Sequence, residues 1–418
     1  MNAAWLLLGL LLIGAIGNRI RKGGRLRGFG LPSGSESLLL GLLLGPHGLA
    51  LVHTSDLQTF SPVVLSAVGW LAFIVGTRLA DPASEQNLLR HEASLLPVMF
   101  GGFLSAICVT AVAASVYVSL SRFDIPAGPT RRLVSGTLGL VVAASAQQLI
   151  DWARQRHGAT GKLTDSLQSV SIGGDAFALL AMAPLLAMDF SAKPSLRHEL
   201  IVSLMPIAIG ASLGIVVRLL LQFERRDAER WALLLGSILF MVGLAQRLGA
   251  SIVTGAFVAG WVLGRGSSPS VREMRTLIAP AESSVLMPVL VMAGAVVDIR
   301  EIGSLAIVAL IAVVVRFIVQ LTAGSLIVVF VGRQIPRVLG AGLALASSGE
   351  VAVLISMAYA VVHPGRFGQL VLLTGITAAL LGEVVAPGVL RRLLRSVNEV
   401  AFETRSSQPP GPSDGSAA

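Results

Sequence analysis

The chain has 418 residues, of which 54% are hydrophobic and 13% charged, with a formal net charge of +9 and a mean hydropathy of +0.79. A water-soluble domain carries about 25% charged residues, so an apolar excess spread over this length excludes one oversized soluble core and points to a polytopic membrane protein. In a soluble chain the basic balance would suggest nucleic acid. Here the Lys and Arg residues fall in short loops, where they set membrane topology, and no nucleic-acid partner is expected.

The apolar runs are continuous and do not alternate. They therefore read as helices and not as outer-membrane strands, because a backbone in lipid must satisfy its own hydrogen bonds. In chain order thirteen runs cover about 3–17, 36–53, 60–79, 93–119, 130–150, 166–188, 199–221, 231–246, 250–264, 283–298, 302–332, 337–361 and 367–390. The first has no basic region before it, and its charges, Arg19 to Arg27, follow it. It reads as a retained span and not as a signal peptide. With the N-terminus outside, 22 of the 32 Lys and Arg fall in inside loops and 8 in outside loops. That bias predicts an N-out, C-in protein in a bacterial inner or plasma membrane. Residues 1–398 are expected to form one transmembrane domain. Residues 399–418, ending in the Pro- and Ser-rich "ETRSSQPPGPSDGSAA", are expected to be a disordered cytoplasmic tail with no nucleotide-binding domain after them.

The ionisable residues left inside the runs carry the functional reading. Asp175 interrupts "SIGGDAFALLAMAPLLA" about eight residues into its run, roughly 12 Å deep at 1.5 Å per residue. A carboxylate there costs several kcal/mol, about 2.5–3.5 on insertion scales, and is functional by default. Arg316 in "IAVVVRFIVQLTAG" lies at similar depth on another run. Arginine cannot discharge, so it needs an anion or a wet cavity. An ion pair between Asp175 and Arg316 is the simplest arrangement, with a purely structural staple as the alternative reading. Glu383, near Pro387, reads as a lining or capping residue.

Two stretches have the composition of interrupted helices. "LALASSGEVAVLI" sets Ser347, Ser348 and Gly349 directly before Glu350. An unwound segment there would offer carbonyls, hydroxyls and a carboxylate to an ion. Close packing through small residues is the alternative. "LGLVVAASAQQLIDW" places Ser145, Gln147 and Gln148 within another run. The two stretches lie seven runs apart, a spacing that suits two related halves with broken helices crossing near the midplane.

Other chemistry is not indicated. The six histidines fall in loops or at the ends of runs, and the single cysteine, Cys108, allows no disulfide or Cys metal site within one chain. No zinc-protease motif, nucleophile elbow or glycine-rich phosphate loop occurs. No enzyme activity and no cofactor are expected.

The same residues resemble a known family. "GLLLGPHGLALV" (41–52), "WLAFIVGTRLA" (70–80), "GGDAFALLAMAPLLA", "GASIVTGAFVAGWVLGRG" (249–266), "MPVLVMAGAVVDI" (287–299) and "ALASSGEVAVLI" are similar, in this order, to segments of the Kef-type cation:proton antiporters of the second monovalent family. The resemblance covers some 360 residues and implies an all-α fold of about 13 transmembrane helices. It implies two inverted-topology repeats, with core and dimer-forming subdomains interleaved, in a homodimer. It also implies exchange of a monovalent cation, Na⁺ or K⁺, for H⁺. Asp175 would bind the cation or proton, Arg316 would face it, and Glu350 would contribute to the ion path. The sequence departs from the family at Gly174, where relatives carry Asp or Gln, at "AASAQQ", poor in hydroxyls, and at Val351, where an aromatic is usual. A single carboxylate implies one-for-one, electroneutral exchange. The alternatives are a non-transporting scaffold or sensor with the antiporter fold, and a symporter of an organic anion anchored by Arg316.

Overall fold

The structure is a computed structural model, and it describes residues 34, 36–52, 58–80, 96–123, 125, 127–145, 147–188, 196–223, 226–265, 269–323 and 342–400. The first expected run, the end of the 302–332 run, the start of the 337–361 run and most of the expected tail lie outside these residues.

Helices account for every regular element among the described residues. They are α1 (Glu36–Leu44), α2 (Ser61–Leu79), α3 (Leu96–Ser121), α4 (Pro129–Ala143), α5 (Gln147–His157), α6 (Lys162–Ala187) and α7 (Leu196–Leu220), then α8 (Asp227–Leu248), α9 (Ile252–Gly264), α10 (Pro269–Val296), the one-turn α11 (Ile299–Ile302), α12 (Ala306–Ala323), α13 (Gly349–Val362) and α14 (Arg366–Ser396). Among the described residues eight stretches are long and apolar enough to cross a bilayer, the α4–α5 pair counting as one, and Ile252–Gly264, Ser284–Val296 and Gly349–Val362 are shorter apolar helices.

Three expected runs change shape. The 36–53 run is helical only to Leu44. Pro46 follows, lacking a backbone donor, and turns carry the chain through Ala50 at φ 51°. The 283–298 run is the second half of a helix that starts at Pro269. The 130–150 run is two helices, α4 ending at Ala143 and α5 starting at Gln147, with residues 144 and 145 non-helical.

The helices form two groups. α2 packs on α9 and α10, α9 on α7 and α8, and α10 on α1; this is the α2 group. In the α6 group, α3 packs on α4, α6 and α12, α4 on α6, α13 and α14, and α5 on α6. Within the α6 group the approach of α6 to α3 is very close. A Cβ on Gly101 would strike the Val170 carbonyl, and one on Gly173 the Val98 carbonyl. Small residues let helices touch backbone to backbone in this way. At the start of α6, Glu399, which the sequence places at the head of the tail, is instead ordered: it folds back from beyond α14 and accepts from the N–H groups of Leu163 and Thr164, each at 2.8 Å, and from the Thr164 hydroxyl at 2.7 Å. These N–H groups have no partner inside the helix, so the carboxylate caps it.

The two broken helices meet inside the α6 group, α4 lying against α13. The first break follows Ala144, which turns extended at φ −59°, ψ 139°. The second covers residues 346–348, and α13 restarts at Gly349 with φ +52°. Only glycine takes that backbone conformation without strain. Both breaks fall where the small and polar residues of the sequence point to them.

Candidate functional site

Asp175 lies mid-way along α6 and is 2% exposed. Its Oδ1 accepts from the Ser145 backbone N–H at 2.8 Å and its Oδ2 from the Gln147 side-chain amide at 3.1 Å. Ser145 and Gln147 open α5, so the carboxylate faces the positive end of a half-helix and its unshared N–H groups.

Arg316 on α12 is fully buried. The expected ion pair with Asp175 is not formed. The guanidinium donates instead to the Val142 carbonyl through Nη1 and to the Ala144 carbonyl through Nη2, the latter at 3.0 Å. These are the last carbonyls of α4, which have no intrahelical donor and carry the negative end of that half-helix. Arg316 and Asp175 thus share one peptide group. Arg316 holds its Ala144 carbonyl, and Asp175 accepts from its Ser145 N–H. The break is clamped by a cation on one side and an anion on the other.

Glu350 sits in the first turn of α13 and is 6% exposed. Its Oε1 accepts from Arg78 at 3.2 Å and its Oε2 from the Gln148 amide at 2.5 Å. Arg78 also pairs with Glu282 of α10. Adjacent glutamines therefore hold the two carboxylates, Gln147 on Asp175 and Gln148 on Glu350. Ser347 and Ser348 lie in the unwound segment as expected. Their hydroxyls, and the Gln148 amide oxygen, are buried without a hydrogen-bond partner among the described residues. The structure thus brings together Asp175, Ser145, Gln147, Gln148 and Glu350. It places Arg316 one peptide away.

Gly174, where a second acid would stand, lies beside two hydroxyls. A Cβ there would lie 2.8 Å from the Ser105 hydroxyl and 3.3 Å from the Ser145 hydroxyl. Ser105, 2% exposed, donates to the Ala143 carbonyl at 3.2 Å. Ser105, Arg78 and Glu282 are site neighbours that sequence reasoning missed. Ser105 is one hydroxyl in a long apolar run, and Arg78 reads as a loop charge. Among the described residues no group of His, Cys, Asp and Glu is placed to hold a multiply liganded metal ion. The oxygens around Asp175 and Glu350 are hard donors of the kind that suit an alkali cation.

Comparison with known proteins identifies the family. The chain is 28% identical over 248 residues to the glutathione-regulated potassium-efflux system protein KefC of Klebsiella pneumoniae (strain 342), a match covering 56% of this chain and 36% of that protein. It spans only about a third of that relative's length. Among solved structures it is similar to the sodium proton antiporter MjNhaP1 of Methanocaldococcus jannaschii at pH 8, with a TM-score of 0.67 and 15% identity over 94% of this chain and 98% of that one. An electron-microscopy map of the same antiporter gives the same TM-score. At that identity the likeness shows the fold: all-α, polytopic and broken at two crossing helices. The family model for the transmembrane sodium/hydrogen exchangers matches residues 8–396, and the chain belongs to that family of integral membrane proteins.

Proposed function

We propose that the protein is a secondary active transporter that exchanges a monovalent cation, Na⁺ or K⁺, for H⁺ through the carboxylate of Asp175. The observation that carries this reading is the setting of that carboxylate: buried mid-helix, with no ion-pair partner among the described residues, and held by one N–H and one amide of a half-helix. A carboxylate held this lightly can trade its donors for a cation or a proton. One paired with a guanidinium could not do so without leaving that cation buried and alone.

In the proposed cycle the site opens to one side and a cation displaces the proton of Asp175. Neutralising the acid lets the α6 group shift against the α2 group, and the site opens to the other side, where a proton replaces the cation. Arg316 stays on the α4 carbonyls and keeps the break intact through both states. One carboxylate holds either ion, so exchange is one-for-one and electroneutral. Gly174, next to Asp175, supplies no second acid. On the same reading residues 1–398 form one transport domain, which works as a homodimer in a bacterial inner membrane with its N-terminus outside, and performs no enzymatic chemistry.

The test is collapse of an imposed pH gradient in proteoliposomes on adding Na⁺, K⁺ or Li⁺, for the native chain and Asp175→Asn together. Cation-dependent collapse in the native chain alone is expected. Equal flux in Asp175→Asn would refute the assignment of the carboxylate.

A further inference from the structure

The two helix groups touch differently at their two ends. At one end a cavity of about 340 Å³ lies between them. Leu65, Ala250 and Ser251 of the α2 group line one side, and Met182, Ala358 and Tyr359 of the α6 group the other. At the other end of α2, about 20 Å further along at 1.5 Å per residue, Arg78 crosses the boundary. Its guanidinium is anchored on its own group by Glu282 of α10 and reaches Glu350 of α13 in the other. α13 runs from Glu350 at this end to residues 358 and 359 at the cavity, so one pair of helices spans from the ion pair to the opening.

We propose that Arg78 is a latch that fastens the two helix groups at the end opposite the cavity, and that the Gln147–Gln148 pair reports the state of Asp175 to it. The inference rests on the exchange reading above for its purpose. Three features of the contact carry it. The side chain of Arg78 is 34% exposed and those of Glu282 and Glu350 are 11% and 7% exposed, so the cation can swing into water while both acids keep their places. Glu350 is shared, with one oxygen on Arg78 and the other on Gln148. Gln148 follows Gln147, which binds Asp175. When Asp175 takes a cation or proton, its hold on Gln147 and on the Ser145 N–H weakens. The first turn of α5 then moves, Gln148 turns from Glu350, and the seat of Arg78 loosens. Arg78 is a positioning residue here: it acts through Glu350 and touches neither ion.

The test reads the cavity. In the full chain with Cys108→Ala, Ala250→Cys places one thiol on the cavity wall, and its rate of reaction with a small water-soluble maleimide is followed in liposomes. Arg78→Gln is expected to change that rate about tenfold by shifting the balance of the two arrangements, and Arg78→Lys to restore most of it. Added Na⁺ or K⁺ should change the rate in the parent but not after Asp175→Asn. A rate for Arg78→Gln within about twofold of the parent overturns the latch, since a shift that small moves the two populations hardly at all. If Arg78→Gln does not fold, Glu282→Gln replaces it, because it removes the charge that anchors Arg78 on its own helix group. It should change the labelling rate in the same direction as loss of the latch, and a rate within about twofold of the parent overturns the proposal. A changed labelling rate in Arg78→Gln, in a protein that shows no cation-dependent proton flux, keeps the latch and refutes the exchange reading.

Discussion

Replacing Arg316 with Met keeps an unbranched apolar stem and removes the charge. Two buried carbonyls, those of Val142 and Ala144, lose their donor. Hydrogen bonds involving a charged group contribute about 1.5–3 kcal/mol each, and a buried acceptor left without its donor costs about 1–3 kcal/mol. The expected loss is therefore about 3–5 kcal/mol, and about half of that for Arg316→Lys, whose point charge reaches one carbonyl well. Unfolding by SDS in mixed micelles measures the difference. The decisive comparison repeats Arg316→Met on an Asp175→Asn background. If Arg316 existed to neutralise Asp175, its removal would become harmless once the acid is gone. Because it holds the end of α4, at least about 2 kcal/mol of the loss should remain, well outside the roughly 0.5 kcal/mol scatter of additive pairs. Full rescue of Arg316→Met by Asp175→Asn would refute the carbonyl assignment.

Gly174→Ala sets a methyl group 2.8 Å from the Ser105 hydroxyl and should cost about 1–3 kcal/mol, read by the same unfolding titration; Gly174→Ala with Ser105→Gly should recover much of it. Glu399→Ala removes a carboxylate that accepts three hydrogen bonds at the start of α6 and should destabilise by about 1–2 kcal/mol, the usual worth of a helix cap. Amide exchange at Leu163 and Thr164 should rise with it. Cation-driven proton flux in proteoliposomes should be the same with the membrane potential clamped at zero or at an inside-negative value, because no net charge moves; a flux that scales with potential would contradict one-for-one exchange.

What the sequence made legible was mostly what is costly in lipid. An acid in "SIGGDAFALLAMAPLLA" and an arginine in "IAVVVRFIVQLTAG" are conspicuous because burial penalises them. Their partners are not conspicuous. The end of a broken helix supplies its carbonyls and N–H groups from the backbone, so in the sequence the side-chain partner of Arg316 reads as Asp175, whereas its partner is the end of α4. The breaks themselves were readable from "AASAQQ" and "ASSGE", since small residues with local hydroxyls and amides weaken a helix. Arg78 was not readable as part of the site, because a basic residue at the end of an apolar run has the same appearance whether it faces water or reaches across to Glu350. Nor could composition show that Gly174 is crowded by the hydroxyls of Ser105 and Ser145, a matter of which helix lies alongside.

Competition of cation and proton for one carboxylate is the claim on which the rest depends, and proton release measures it without any transport. The purified chain in weakly buffered detergent solution, near the pH at which the site is half protonated, is titrated with Na⁺ and K⁺ while the pH is recorded. The account predicts saturable release approaching about half a proton per chain, the share bound at that pH, because a bound cation must displace the proton it replaces, and none from Asp175→Asn. No release from the native chain, or equal release from the variant, would contradict it.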